Sequence, residues 1–529
     1  MKLKPWMLAG MALVAAASLA DTAPNGTRWW SYVEHLASDK LEGRNTGSEG
    51  HRAAAEYVAA HFEHDGLKPA GEQGFIQPVK FKTFELDESN SNLSLERDGQ
   101  EQAMKFGEDA YINMRVDPVP TVEAELVFVG YGLRVPESQY DDFAGLDTKG
   151  KIAVYLTGAP ASMSSAVAAH YQSDGQRWTA LKNAGMIGAV TIQNPHHMDI
   201  PWPRLASSRF QMTMQLADTR LVETTGEQIA VRWNAEHADR LFAGAEHTFD
   251  ELVSTAEKGK QLPRFPLPGK LKVKTTVKRG EVESQNIAAI FPGSDTKLRG
   301  EYVVMSAHID HLGVGQPING DTIYNGAMDN ASGVASLLEV ADHLKEAGVK
   351  TKRSILLAAV TGEEKGLLGS RYFAAHPTVP PDKMVADVNV DMFLPLYPLR
   401  ILTVYGLEES TLGDEVRAIA RPMEITIQPD PEPARNIFIR SDQYNFIRNG
   451  VPSVLFKFGN EKGSKEAEIE KKWLTERYHA PSDDINQPVD KQAAAEFNIF
   501  VERLIERVAN EDAKPAWKEK SFFRRYATN

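Results

Sequence analysis

The sequence predicts an α/β protein whose mostly parallel sheet is flanked by helices on both faces, with a separate, mainly-β insertion. Three observations carry that expectation. Apolar runs of strand length recur at 303–307, 355–360 and 385–390. Helix-period segments separate them, as where Val334, Leu337, Leu338, Ala341 and Leu344 follow the first run. A chain of 529 residues at 42% hydrophobic composition has material for a large core and length for more than one domain.

Taken in order, the chain begins with Lys2 and Lys4 before an apolar stretch from Trp6 to Ala17, and Ser18-Leu19-Ala20 offers small residues ahead of Asp21. Residues 1–20 therefore read as a signal peptide, and the mature protein is expected to be exported, periplasmic or secreted, without stable membrane insertion after cleavage. The absence of cysteine excludes a lipoprotein anchor, disulfides and thiolate chemistry. Residues 21–121 are expected to open the main domain. In them Thr46-Gly47-Ser48-Glu49 is a helix-start signal, and Ala54, Tyr57, Val58 and Phe62 continue at helical spacing until Gly66.

The pattern changes over 122–262, where short strand-like runs at 126–129, 152–156 and 189–192 surround a short helix at 178–184. His196 and His197 there sit in a Pro-rich loop and read as a solvated pair. Residues 263–515 return to the main domain with an alternating strand at 272–278, another at 286–291 before Pro292-Gly293, and the strand-helix alternation described above. A late amphipathic helix is marked by Phe497, Phe500, Val501, Leu504 and Val508. Residues 516–529 form a charged tail, expected to fray from Lys518. A formal net charge of −13 argues against a polyanion-binding surface, so nucleic acid is not an expected partner.

The chemistry-bearing residues stand where apolar runs end. His308 follows the first run, Glu363 and Glu364 the second, and Asp391 the third, while Asp329 lies on a turn rich in Gly and Asn. In an open α/β sheet such ends converge, because ligands sit outside the carboxyl ends of the strands. Imidazole and carboxylate donors suit zinc among several divalent ions, and a carboxylate such as Asp329 can bridge two metals. His308 and Asp310 are two apart, so in extended chain they share a side and the acid can orient the ring. Glu363 and Glu364 are adjacent and point apart, which allows one metal ligand and one general base. Any one strand-end histidine or Glu pair ordinarily faces water; three such endings on successive runs, with an acid on a turn between them, are not ordinary.

At this point the motifs resemble a known family. Ala307-His308-Ile309-Asp310-His311-Leu312-Gly313, the turn 325–333, the segment 361–370, Asn389-Val390-Asp391-Met392 and Tyr478-His479-Ala480-Pro481-Ser482-Asp483-Asp484 resemble the co-catalytic di-zinc aminopeptidases. Glutamate carboxypeptidase, the glutaminyl cyclases and the non-catalytic transferrin receptor are relatives. The resemblance implies a zinc exopeptidase fold and two Zn2+ per chain, one on His308 and Asp391, the other on Glu364 and His479, with Asp329 bridging. It implies Glu363 as general base, Asp310 behind His308, and peptide substrates cut at the amino terminus. The segment 128–152 resembles the protease-associated domain that exported members carry, which makes 122–262 that insertion and 21–121 with 263–515 the peptidase domain.

The chain departs from the pattern twice. Phe393, Leu394 and Leu396 follow Asp391 and are expected to project toward the cleft, favouring an apolar first residue. Phe438 stands where some relatives have an oxyanion-stabilising Tyr, which leaves Tyr444 and Arg440 as candidates. Two other readings remain at this stage. A receptor-like binding protein is disfavoured by the complete ligand set, and a glutaminyl cyclase needs one zinc. A carboxypeptidase wants a basic pocket, for which Arg435 and Arg440 are the candidates. Oligomeric state is not legible.

Overall fold

The computed structural model describes residues 24–527, and the expected signal segment 1–20 lies outside them. The run 303–307 forms the strand Tyr302–His308 near the middle of a 10-stranded sheet. Around it the order Ser354–Val360, Tyr302–His308, Met384–Asn389, Ser453–Phe458 is wholly parallel. Antiparallel strands complete both margins: Val277–Phe291 and Ile76–Leu86 beyond Ser354–Val360, and Ile401–Tyr405 beyond Ser453–Phe458. The central strands are buried on both faces, which is why they read as continuous apolar runs.

The alternation of side chains sends neighbours to opposite layers. Val303, Met305 and Ala307 pack with Trp29, Phe62, Leu337 and Phe497, from the helices Gly26–Leu36, Glu49–His64, Ser332–Glu346 and Lys491–Asn510. Val304 and Leu356 face Phe373 and Phe446, from Leu368–Ala375 and Gln443–Arg448. Asn25 caps the first helix by accepting from the N–H groups of Thr27 and Arg28, and Ser48 caps the second by accepting from His51. Gly26 allows that first helix to touch the last one, since a Cβ there would lie 1.8 Å from the carbonyl oxygen of Lys491. Among the described residues, no helix is long and apolar enough to cross a membrane.

A second, 8-stranded sheet has its own core, built from Leu126, Phe128, Val154, Val190 and Val231 among others. This layer is wider than the interval 122–262. It draws in Asn92–Arg97, Gln100–Ala103 and Ala110–Ile112 before that interval and ends with Phe265–Lys274 after it. Conversely Thr213–Leu216, inside the interval, pairs with Ile76–Leu86 on the edge of the first sheet. The expected single strand over 272–278 is in fact a junction: Phe265–Lys274 closes in the second sheet and Val277–Phe291 opens in the first. Alternation persists across it because both strands are pleated, so periodicity alone cannot reveal the change of partner. The short helix expected at 178–184 is Asp174–Asn183. The tail does not fray as expected through 527. Phe523 is fully buried beside Phe438, Tyr444 and Leu455, because Trp517, Phe522 and Phe523 give this charged segment an apolar side.

Candidate active site

The carboxyl ends of the parallel strands deliver the predicted residues to one place. His308 closes Tyr302–His308, Glu363 and Glu364 follow Ser354–Val360, and Asp391 follows Met384–Asn389. Asp329 sits just before the helix Ser332–Glu346, and His479 just after Lys465–Glu476. The His308 Nε2 atom is 3.2 Å from Asp329 Oδ1 and 3.6 Å from Asp391 Oδ1. On the other side of Asp329, His479 Nε2 is 3.2 Å from Asp329 Oδ2 and 3.3 Å from Glu364 Oε2. Asp329 thus gives one oxygen to each histidine.

These separations permit a test of whether the donors fit a metal. Bonds of about 2.0–2.1 Å to a tetrahedral ion place any two donor atoms about 3.3 Å apart, and the histidine–carboxylate separations around Asp329 lie close to that value. His308 donates Nδ1–H to the Asp310 main-chain carbonyl at 3.0 Å, which leaves the Nε2 lone pair turned toward Asp329 and Asp391. Asp391 Oδ1 is buried without a hydrogen-bond partner, a costly state for a carboxylate oxygen unless a cation meets it. The residues fit two divalent ions sharing Asp329.

The loops that hold this arrangement are tied from distant parts of the chain. Asp483 accepts the N–H groups of Met328 at 2.9 Å and Asp329 at 3.0 Å, locking the turn to the His479 segment. Arg44 is almost wholly buried and donates to the carbonyls of Ile309, Asn325 and Gly326 at 3.0, 2.7 and 3.0 Å, which joins the His308 and Asp329 loops. Asn389, two residues before Asp391, donates to Ser441 Oγ and Gln443 Oε1, both at 2.8 Å. The second layer also reaches in, since Arg204 donates to the carbonyl of Tyr478 at 2.8 Å.

Asp310 differs from expectation. Its carboxylate stands 3.9 Å from His308 Nδ1, while its own main-chain carbonyl takes that nitrogen. The strand ends at His308, so the extended geometry that would align the two side chains stops there. The Asp310 carboxylate instead accepts the Thr46 hydroxyl at 2.8 Å and the Glu363 N–H at 3.1 Å.

Glu363 and Glu364 do point apart. Glu363 lines the cleft beside Asp329 and Asp391, while Glu364 is turned toward His479 and His311. Burial raises the Glu363 carboxyl well above the usual range, reinforced by Glu364, Asp391 and Asp442 and opposed by His308. Burial acts the same way on Glu364, but His479 and His311 overcome it and hold that group well below its ordinary value. Burial opposes charge on His308, yet the Glu363, Asp329 and Asp391 carboxylates carry its pKa well above normal.

Several expectations about the cleft are corrected. Tyr444 does not border it: its hydroxyl meets His170 Nδ1 at 2.8 Å in the cluster around Phe438 and Phe523. Arg440 does border it, with Tyr478, whose hydroxyl accepts from Arg440 at 3.4 Å. Phe393 is stacked on Phe497 at 4.1 Å in the core, and Leu396 packs against the same core. Left-handed backbone at Met392 and Leu394, with φ of 49° and 56°, turns those two side chains toward the cleft and Phe393 away.

Other residues near the site carried no assignment in the sequence. His311 is fully buried with Nδ1 2.8 Å from Glu364 Oε1 and 3.9 Å from Asp329 Oδ2, and its signal was its place beside Asp310. Tyr478 could be found only as the neighbour of His479. Asp199 and Lys457 had no signal, because their partners are distant in sequence.

Known proteins resemble this chain in sequence and in fold. Residues 286–505 match the sequence model of peptidase family M28. Carboxypeptidase Q of Xenopus laevis is 24% identical over 428 residues, covering 78% of this chain and 75% of that protein. Among solved structures, the aminopeptidase from Aneurinibacillus sp. strain AM-1 has a TM-score of 0.57 at 18% identity, covering 93% of this chain and 96% of that one. The zinc aminopeptidase BSAP from Bacillus subtilis has a TM-score of 0.50 at 18% identity, covering 93% and 98%. Those structures share the α/β exopeptidase fold, and the matched region contains all five ligand-type residues in order. The family match over residues 286–505 and that fold together make the region that carries the five ligand-type residues similar to peptidase family M28.

Proposed function

We propose that this peptidase is a two-zinc exopeptidase of the aminopeptidase type. The observation that carries the reading is Asp329 shared between two donor triads, His308–Asp329–Asp391 and His479–Asp329–Glu364. His308 and Asp391 would hold one ion, Glu364 and His479 the other, and Asp329 both. Bound there, the ions would supply Lewis-acid polarisation of the scissile carbonyl and a lowered pKa for the attacking water.

The chain's own residues do the rest. Glu363, raised by burial and free of the donor triads, takes the proton from water and returns it to the departing amine. Asp310 places Glu363 through its main-chain N–H. Arg440 and Tyr478, which line the cleft, are the proposed donors to a developing oxyanion, in place of Tyr444.

The aminopeptidase choice draws support from the Aneurinibacillus and Bacillus subtilis proteins, which bear that name. Hydrolysis of free but not amino-blocked peptides tests it, and cleavage of blocked peptides at the carboxyl end overturns it. The proposal extends to export, with maturation before Asp21, and to the second layer as a protease-associated domain that shapes access to the cleft. Amino-terminal sequencing of the mature protein tests the first of these.

Metal analysis tests the site. Two zinc ions per chain are expected. Asp329→Ala should lose both and His479→Ala chiefly one. Full activity with a single tightly held ion would overturn the two-metal reading.

A further inference from the structure

Beyond the donor triads, the cleft has a wall whose charges do not balance. The strands Ile401–Tyr405 and Ser453–Phe458 form it, with Tyr405 opposite Leu455 and Thr403 opposite Lys457. Leu455 and Lys457 are two apart on a strand, so both face the cleft, which Leu394 and Leu474 also line. Three cations border this space: Arg435, Arg440 and Lys457.

The two arginines are matched. Asp199, reaching over from the second layer, accepts from Arg435 Nε at 2.8 Å with one oxygen and from Arg440 with the other. Arg435 also pairs with Glu432 at 3.0 Å. Lys457 has no carboxylate oxygen within 4.0 Å of its ammonium among the described residues. Glu470 shares the cleft, but its carboxylate accepts from Asn460. The acids that attract Lys457 are chiefly Asp391 and Asp329, whose charge belongs to the donor triads, and more weakly Glu470. A half-buried ammonium among leucines and a tyrosine, without a partner of its own, is costly to keep unless an anion visits it.

We propose that Lys457 is a carboxylate-binding subsite: the peptide hydrolysed presents an acidic group to this ammonium next to the scissile bond. That carboxylate comes either from the side chain of an amino-terminal Asp or Glu or from the free carboxyl end of a dipeptide. The inference rests on the exopeptidase reading and narrows its substrate class. It also replaces the apolar first residue expected from Phe393, Leu394 and Leu396, of which Phe393 and Leu396 pack in the core and Leu394 lines the cleft.

The test compares kcat/KM ratios within each zinc-loaded variant, because a ratio cancels any difference in folded fraction. One arm sets glutamyl 4-nitroanilide against leucyl 4-nitroanilide, and the other sets Leu-Leu against its carboxyl-terminal amide. The wild type should favour the carboxylate-bearing member in one arm, and that arm names the source. Lys457→Met should lower the preferred ratio by about 30-fold or more, the scale of removing one member of a desolvated charge pair. Lys457→Arg should retain most of it. Wild-type preference for the uncharged member in both arms overturns the proposal alone, as does a Lys457→Met ratio within about twofold of wild type. Failure to cleave any of the four substrates would overturn the exopeptidase reading and this proposal together.

Discussion

Asp310 and Glu363 are 53 residues apart and joined by one hydrogen bond, in which the Glu363 N–H donates to Asp310 Oδ1 at 3.1 Å. The other oxygen takes the Thr46 hydroxyl at 2.8 Å. Asp310 therefore acts on the proposed base through the main chain, and removing it frees Glu363 as well as leaving two buried donors unmatched. Asp310→Ala should lower kcat by about 10–100-fold. Asp310→Asn keeps an oxygen acceptor and should lose less. Steady-state kinetics beside zinc content checks this, and equal losses in the two variants would mean that the charge matters and the hydrogen bonds do not.

Arg44 provides a second test. Its guanidinium serves carbonyls of both the His308 and Asp329 loops from a buried position, and no other side chain offers the same planar fork. Arg44→Met should cost about 3 kcal/mol or more, since several buried carbonyls lose their donor, and Arg44→Lys should recover only part. Urea unfolding measures this. Zinc affinity should fall with stability, because the two loops carry separate ligands.

What the sequence made legible follows a physical division. The parallel strands were visible because burial on both faces removes polar residues from them, and the donors were visible because each interrupts such a run. Asp310 was misplaced because a two-residue spacing predicts a shared side only while the strand lasts, and it stops at His308. Phe393 was misplaced because left-handed backbone at Met392 and Leu394 reverses the facing of successive side chains. Lys457 and Asp199 were invisible because their meaning lies in which charges meet across the cleft. The junction at Thr275 and Thr276 was invisible because pleating is the same in both sheets.

Stability should depend on pH through two buried histidines. Burial lowers His51 and His170 to about 4, below the ordinary value near 6.5. His51 faces Thr361, Ser284 and Arg44; His170 faces Tyr444, Arg448 and Arg525. The unfolded chain takes up a proton on each below pH 6.5, while the folded protein resists until about 4. Their contribution is therefore complete above pH 6.5 and is lost as pH falls toward 4, on the order of 3 kcal/mol each. Urea midpoints at several pH values should fall across that window. His170→Gln should flatten the slope by about one proton, and an unchanged slope would contradict the assignment.

The central claim is that Glu363 moves the proton while the donor triads hold the metal, and Glu363→Gln separates the two roles. The substitution keeps the shape of the side chain and leaves His308, Asp329, Glu364, Asp391 and His479 untouched. The measurement is kcat of Glu363→Gln at zinc occupancy matched to wild type. The account predicts full zinc binding with kcat reduced by about 10²–10⁴-fold. Near-normal turnover at full occupancy would contradict it, because another group would then be the base.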